Sequence, residues 1–342
     1  MQNLFPHFKT DSVNVLLCAD AVYFPAASVT IQSIINHSSP DRNYDIIILA
    51  SQASDHDVEY INEMTVGRDN FSIRVYDPSP VVSQYDMSDW FFGKRFSPSV
   101  YYRLFAPVIL KDYSKIVYLD SDLIVEHDVG ELFDTDVEGY WLAAVPEFTF
   151  KYLREWAASE DWMAEVIEYC DTVLMLEDEK NYFNSGVLVY NLEKMRDDNA
   201  FSQFIAFAPK NYKFNHDQNV LNATAQGKVL ILDRTWNVNA GIINSVRYER
   251  FASTQEFQDI VKAAKIMHFA SSHKPWKSAK IAKAHKWWMA ARSSPYYERL
   301  IFNAVPNPKK HVPRRHRFYS YIKKAYMYIW RHVFLFFCPN NA

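Results

Sequence analysis

The sequence predicts an α/β protein built on a mainly parallel sheet, and three observations carry this. Apolar, β-branched runs alternate with segments of helical spacing from the start of the chain, which implies right-handed βαβ units. The run Ile116-Val117-Tyr118-Leu119 shows no polar alternation, as expected of a strand covered on both faces. With 342 residues and 49% hydrophobic content, the chain can bury one large domain and still carry an appendage.

The elements follow in order. Val13 to Ala19 reads as the first strand, ended by Asp20. Ala27, Ile31, Ile34 and Ile35 then fall at helical spacing. Asp45 to Ala50 is the second strand. Ser54-Asp55-His56-Asp57 has the pattern of a capping box, opening a helix with Val58 and Ile61 inward. Phe71 to Tyr76 is the third strand, and Ser97 to Leu104 is helical. Lys115 to Leu119 is a buried strand, with Leu123-Ile124-Val125 as its short continuation. Trp141 to Val145 is another strand. Phe148 to Asp178 reads as one long, aromatic, acidic helical insertion. Val187 to Leu192 is a strand, Asn215 opens a helix through Val220 and Leu221, and Val229 to Leu232 and Lys265 to His268 complete the strands. The Pro- and Lys/Arg-rich stretch Asn307 to Arg317 marks a boundary between a domain over 1–306 and a tail over 307–342.

Net charge is −3, which excludes a whole-molecule electrostatic nucleic-acid binder. Aromatic content is 16%, which suits sugar or base stacking, a membrane-facing surface or plain core packing alike. Cys18, Cys170 and Cys338 are too dispersed for a disulfide framework or a metal-ligand spacing, as in a reducing compartment. Met1-Gln2-Asn3-Leu4-Phe5-Pro6 lacks the regions of a signal peptide. No apolar stretch reaches the ~20 residues that span a bilayer. From Lys309 onward there are eight Lys or Arg and no Asp or Glu. Phe318, Tyr321, Ile322, Ala325, Ile329, Val333 and Phe336 recur there at helical spacing, with Lys323, Lys324 and Arg331 opposite. That is the pattern of a helix lying on an anionic membrane surface, or of one packed on protein. The expected location is cytoplasmic, peripheral on the inner face of the cell membrane.

The chemistry centres on Asp120-Ser121-Asp122. An unpaired buried charge is costly, so a buried strand ending in two carboxylates implies either a solvated turn or a divalent cation between them. The carboxyl end of a strand is where open α/β sheets bind ligands. Asp20 holds a second such position, either at the edge of a nucleotide pocket or as a helix N-cap. Gly186, one of only seven glycines, sits beside Asn184 and suggests close backbone approach. Other readings stand beside the functional ones: a surface ion pair for Arg103, turn chemistry for Asn184, a helix N-cap for Asp217, a core histidine for His268 and a surface lysine for Lys274.

Six segments, in order, resemble glycosyltransferase family 8, the family of bacterial lipopolysaccharide α-galactosyl- and glucosyltransferases and of glycogenin. They are Cys18-Ala19-Asp20 with Tyr23, Tyr102-Arg103-Leu104, Tyr118-Leu119-Asp120-Ser121-Asp122, Phe183-Asn184-Ser185-Gly186, His216-Asp217-Gln218, and His268 with Lys274-Pro275-Trp276. The resemblance spans Val13 to Trp276. It implies a GT-A fold: a single Rossmann-like mixed sheet with helices on both faces, here with the C-terminal basic, aromatic appendage. It also implies a UDP-sugar donor, a saccharide or glycolipid acceptor, Mn²⁺ (or Mg²⁺), and transfer with retention. On this reading Asp120, Asp122 and His268 hold the metal, and Lys274 holds the β-phosphate. Cys18, Ala19, Asp20 and Tyr23 hold uridine. Arg103, Asn184, Asp217 and Gln218 face the donor sugar, with Ser121, Glu147, Ser185 and Ser271 also on the donor. Gln218, Asp217 and Arg103 are the catalytic candidates, and front-face attack is favoured over a covalent intermediate. Ser271 replaces a frequent Gly and Glu147 a frequent Asp, which leaves galactose and glucose both open. A phosphatase of the haloacid dehalogenase type places its Asp-x-Asp after the first strand, whereas three strands precede this one. A degenerate sugar-binding or scaffolding protein is the non-enzymatic alternative.

Overall fold

The computed structural model describes residues 4–90, 97–159, 161–211, 215–278 and 280–304. A compact unit spans Met1–Leu300, and the second unit, Ile301–Ala342, is described only to residue 304. The interfacial helix expected over Lys309 to Phe337 lies outside the described residues.

Seven strands form the central sheet: β1 (Ser12–Ala19), β2 (Asn43–Ala50), β3 (Phe71–Tyr76), β4 (Lys115–Leu119), β6 (Leu142–Pro146), β7 (Phe183–Asn191) and β8 (Val229–Ile231). Their spatial order is β3-β2-β1-β4-β7-β6-β8. β7 runs antiparallel to both β4 and β6, and the other pairings are parallel. The sheet is therefore mixed, with helices on both faces. Alternate side chains enter two different cores: Val13, Val15 and Leu17 go to one, Leu16 and Cys18 to the other. Val117 and Leu119 likewise oppose Ile116 and Tyr118. This two-sided burial is why these strands carry unbroken apolar runs. Each fully buried aliphatic side chain contributes about 1.5–3 kcal/mol.

The chain builds outward from β1 to β3 and then returns to place β4 on the other flank of β1. Order reverses between β1 and β4, and the crevice opens at their carboxyl ends, where Asp20 and Asp120 stand. The helix Phe24–His37 packs against β5 (Leu123–Val125) and the helix Ala284–Ala291. The capping box at Ser54 and Asp57 is present in both directions.

Three local expectations are corrected. Leu123-Ile124-Val125 does not extend β4. It leaves the central sheet and pairs antiparallel with β10 (Ile266–His268), which also pairs with β9 (Val238–Asn239), so a second, three-stranded sheet accompanies the expected one. Ser97 to Leu104 is a 3₁₀ helix over Pro98–Phe105, passing into one α turn at Ala106–Ile109. Phe148 to Asp178 is a succession of 3₁₀, α and π turns rather than one helix. Leu153, Trp156 and Met163 keep a helical stripe. Phe148 and Tyr169 lie off it and are buried as well, which one straight helix cannot achieve.

Candidate active site

The backbone after β4 is pinned from four directions. Asp120 N–H donates to the Gly186 carbonyl at 2.8 Å, and Phe269 N–H donates to the Asp122 carbonyl at 3.0 Å. Ser121 Oγ donates to the Cys18 carbonyl at 2.7 Å. Beneath, the hydroxyl of buried Thr30 on the first helix lies 3.0 Å from the carbonyls of both Ser121 and Leu123 and shares its one proton between them. The Asp120-Ser121-Asp122 segment is thus a rigid ledge, not a solvated turn.

That ledge meets His268 at the end of β10. One ligand atom from each of Asp120, Asp122 and His268 lies within 4.8 Å of the others. His268 Nε2 stands 3.4 Å from Asp120 Oδ2 and 3.2 Å from Asp122 Oδ1. Its other nitrogen, Nδ1, is 3.0 Å from Asn237 Oδ1. Asn237 is itself oriented, because its amide nitrogen donates to Asn184 Oδ1 at 2.9 Å. Asn237 Oδ1 therefore takes a proton from Nδ1, which turns Nε2 toward the carboxylates and makes it the nitrogen that a bound cation would meet. A hydrogen bond of this kind fixes tautomer and ring plane in metal-binding histidines. Gly186 leaves room for the ring: a Cβ there would come within 2.2 Å of His268 Cε1 and 2.8 Å of Asp120 Oδ2.

Arg103 is buried between two carboxylates, with Nη2 2.7 Å from Asp120 Oδ1 and Nε 3.0 Å from Asp217 Oδ2. Its guanidinium lies over the Tyr118 ring at 4.4 Å, and Nη1 donates to the Ser185 carbonyl at 2.7 Å. It is no surface ion pair. Lys274, only 6% exposed, donates to Asp122 Oδ2 and to the Phe269 carbonyl. Burial works against the Asp122 carboxylate, but Lys274 and His268 together hold it well below the usual carboxylate range. Burial pushes Asp217 up despite Arg103, and Glu147 up despite the amides of Asn239 and Asn184. Asp120, Asp122 and Asp217 outnumber Arg103 and Lys274 even before Glu147 is counted. A divalent cation on the ledge would offset that excess negative charge. The donor set, two carboxylates and one imidazole, is of a type that holds a divalent cation.

Asp217 opens the helix His216–Thr224, whose N-cap is Asn215, so Asp217 is not the cap. Gln218 is engaged at both ends of its amide: its Oε1 accepts from Ser185 N–H at 3.0 Å and its Nε2 donates to Tyr182 Oη at 3.0 Å. Asn222 clamps the N–H and C=O of Phe183, which locks this helix to β7.

Two cavities meet at the ledge. One, of 340 Å³, is lined by Cys18, Ala19, Asp20, Tyr23 and Ser121. The other, of 550 Å³, is lined by Glu147, Asn184, Ser185, Gln218, His268 and Ser271. Arg103, Asp120 and Asp122 belong to both, and Asp217 lines the larger. The Asp20 carboxylate accepts from the N–H groups of Val22 and Tyr23 at 3.0 Å, so it shapes the turn into the helix while edging the cavity. Burial raises the Cys18 thiol to about 12, which keeps it neutral. Lys274 lines neither cavity and reaches the ledge from behind. Thr30, Tyr182, Asn237 and Asn239 were missed in the sequence. Buried Asn and Thr in short loops or apolar helices carry no periodic signal.

The chain matches the Glycosyl transferase family 8 model over residues 14–280. The chain belongs to glycosyltransferase family 8. It is 26% identical over 274 residues to glycosyltransferase GlyF of Streptococcus pneumoniae, covering 79% of this chain and 58% of that protein. General stress protein A of Bacillus subtilis is 22% identical over 277 residues, with 79% and 89% covered. Among solved structures, the apo form of the bifunctional glycosyltransferase WbbM superposes with a TM-score of 0.74 at 26% identity, covering 88% of this chain and 53% of that one. The galactosyltransferase LgtC, solved with donor and acceptor sugar analogues, gives 0.64 at 21% identity, with 83% and 96% covered, and shows the shared GT-A fold. This family 8 chain thus spans little more than half of GlyF and of WbbM.

Proposed function

We propose that the chain is a retaining hexosyltransferase that moves galactose or glucose from a UDP-sugar to a saccharide or glycolipid acceptor in surface-glycan synthesis, lipopolysaccharide included. The observation that carries this is the cluster of Asp120, Asp122 and His268 at the junction of two cavities, backed by membership of family 8. Asp120, Asp122 and His268 would hold Mn²⁺, or Mg²⁺ in its place, which supplies Lewis-acid neutralisation of the diphosphate leaving group. The smaller cavity takes uridine, beside Cys18, Ala19, Asp20 and Tyr23. The larger takes the donor sugar near Arg103, Asn184, Asp217 and Gln218, and the acceptor beyond it.

The side chains favour front-face attack. Gln218 Oε1 already accepts a backbone N–H, and Asp217 is tied to Arg103 and Ser185 Oγ. Neither is a free nucleophile. The acceptor oxygen bonds to the anomeric carbon on the face from which UDP departs, the carbon–oxygen bond to UDP breaks, and the acceptor proton passes to the UDP oxygen. Lys274, an ammonium close behind the ledge, supports the leaving charge as it grows. The test is turnover of a panel of UDP-hexoses with and without Mn²⁺. One preferred donor with metal-dependent turnover is expected. Turnover of none, or equal turnover in chelator, would sink the reading.

The basic, aromatic sequence from Lys309 to Phe337 is proposed to hold the protein on the cytoplasmic face of the membrane, where each basic residue near an anionic surface adds about 1 kcal/mol. Co-sedimentation of the full chain with anionic but not neutral vesicles, weakened by salt, is expected. Indifference to lipid charge would remove this role.

A further inference from the structure

The larger cavity has two chemically different ends. The inner end is the carboxylate-rich ledge. The outer wall is built from the broken insertion and from the 3₁₀ turn Val246–Tyr248, and carries Phe150, Trp162, Glu165, Arg247 and Tyr248. Arg247 lies over the Trp162 indole, with its guanidinium carbon 4.2 Å from the ring centroid, and 6.0 Å from the Tyr248 ring. Tyr248 in turn meets Trp162 edge to face at 5.9 Å. Among the described residues no carboxylate pairs with Arg247. Arg103, in the same cavity, is by contrast held between two.

A stacked guanidinium is an ordered one. One face lies against the aromatic ring, while the N–H edges stay available in a fork that matches carboxylate and phosphate oxygens. Contact with the ring lowers the rotamer cost that binding an anion imposes on a long side chain. Arg247 is exposed and lines the cavity, so its N–H edges are open to a ligand there. Donor and metal occupy the inner end, so the outer wall is left to the acceptor.

We propose that the acceptor is an anionic saccharide, and that Arg247, stacked on Trp162, binds its phosphate or carboxylate group. Glu165, exposed on the same wall, accepts hydrogen bonds from the acceptor's neutral hydroxyls. The inference rests on the transferase reading above, and it concerns the acceptor alone.

The experiment compares matched acceptors: a neutral methyl hexoside, its 6-carboxylate (the uronic acid) and its 6-phosphate. The full chain is assayed with the preferred UDP-sugar, and hydrolysis of donor without acceptor is measured separately. The expected result is at least a roughly tenfold higher kcat/KM for one or both anionic acceptors, the scale of a charge-assisted pair. That preference shrinks in high salt, because the wall is exposed. The carboxylate and phosphate arms identify which group is read. In Arg247→Gln the ratio of anionic to neutral kcat/KM falls toward one, while Arg247→Lys retains part of it. A ratio is used because general damage lowers both terms together. Equal use of neutral and anionic acceptors by the natural protein, or a preference untouched in Arg247→Gln, overturns the proposal while donor hydrolysis keeps the transferase reading standing. No donor turnover under any condition overturns both.

Discussion

A single carboxylate and a carboxylate cluster stand at opposite ends of the same sheet. At the amino end, Asp45 on β2 is fully buried and fully used: Arg74 Nη2 lies 2.7 Å from both its oxygens, Tyr113 Oη donates at 2.8 Å and His7 N–H at 3.0 Å. One anion meets one cation. At the carboxyl end, Asp120, Asp122 and Asp217 share Arg103 and Lys274, and face two cavities. The residue types are the same. What separates a brace from a site is whether the charges close among themselves or leave an excess directed at a space.

The sharpest way to break this comparison is at the brace. Arg74→Met leaves a buried, uncompensated carboxylate and is expected to cost about 3–5 kcal/mol of stability, with unchanged turnover per folded molecule. Denaturant titration beside active-site-normalised assays reads both, and a loss of turnover without a loss of stability would mean that the amino end is functional after all. The converse change is Asp120→Asn or Asp122→Asn. Transfer should fall at least ~100-fold, equal to about 2.7 kcal/mol of transition-state stabilisation. Asp120→Asn should change the melting temperature little, because Arg103 keeps Asp217, whereas Asp122→Asn should lower it by leaving Lys274 buried without its carboxylate. Wild-type turnover in either variant at saturating Mn²⁺ would return the ledge to a turn.

Asn237→Ala comes next. It frees His268 Nδ1 and lets the ring turn, and outer-shell losses of this kind weaken metal binding by about 10–100-fold. Titration of Mn²⁺ by its paramagnetic resonance measures this without turnover, and unaltered affinity would make Asn237 a packing residue only. The smallest effect concerns Asp57, a carboxylate that is braced but peripheral. Burial opposes its charge, yet Tyr296 Oη and the Ser54 cap hold its pKa below the usual value. A depressed folded pKa means stability that is present above the unfolded value near 3.9 and lost as pH falls through the folded one. Asp57→Ala should therefore cost about 1–2 kcal/mol at pH 7, and the gap to the natural protein should narrow under strongly acidic conditions. A constant gap would assign the effect to packing.

The strands of the central sheet were legible because burial on both faces leaves unbroken apolar runs, and the ledge because two carboxylates interrupt one of them. Gly186 was legible through scarcity. The second sheet was not: strands of two or three residues, such as Val238–Asn239, are shorter than any periodicity. Asn237 and Thr30 act through a single amide and a single hydroxyl, and outside the fold they are a loop asparagine and a helical threonine. The Phe148 to Asp178 stretch misled because its stripe is real, while the residues off the stripe needed burial too. Arg247 and Trp162 are 85 positions apart in the numbering, and only the fold brings them together.

Among the described residues β10 is the last strand to leave the ribosome, and it brings both His268 and the partner that β5 requires. While the chain emerges at about 5–20 residues per second, the two carboxylates wait on the order of ten seconds for their imidazole. Until then β5 has no edge to join, Phe269 is absent from its bond to Asp122, and Lys274 does not exist to counter the charge. The last pin of the ledge, its imidazole and its ammonium arrive together in one late stroke of synthesis. A nascent chain shorter than that stroke carries the signature motif without a working centre.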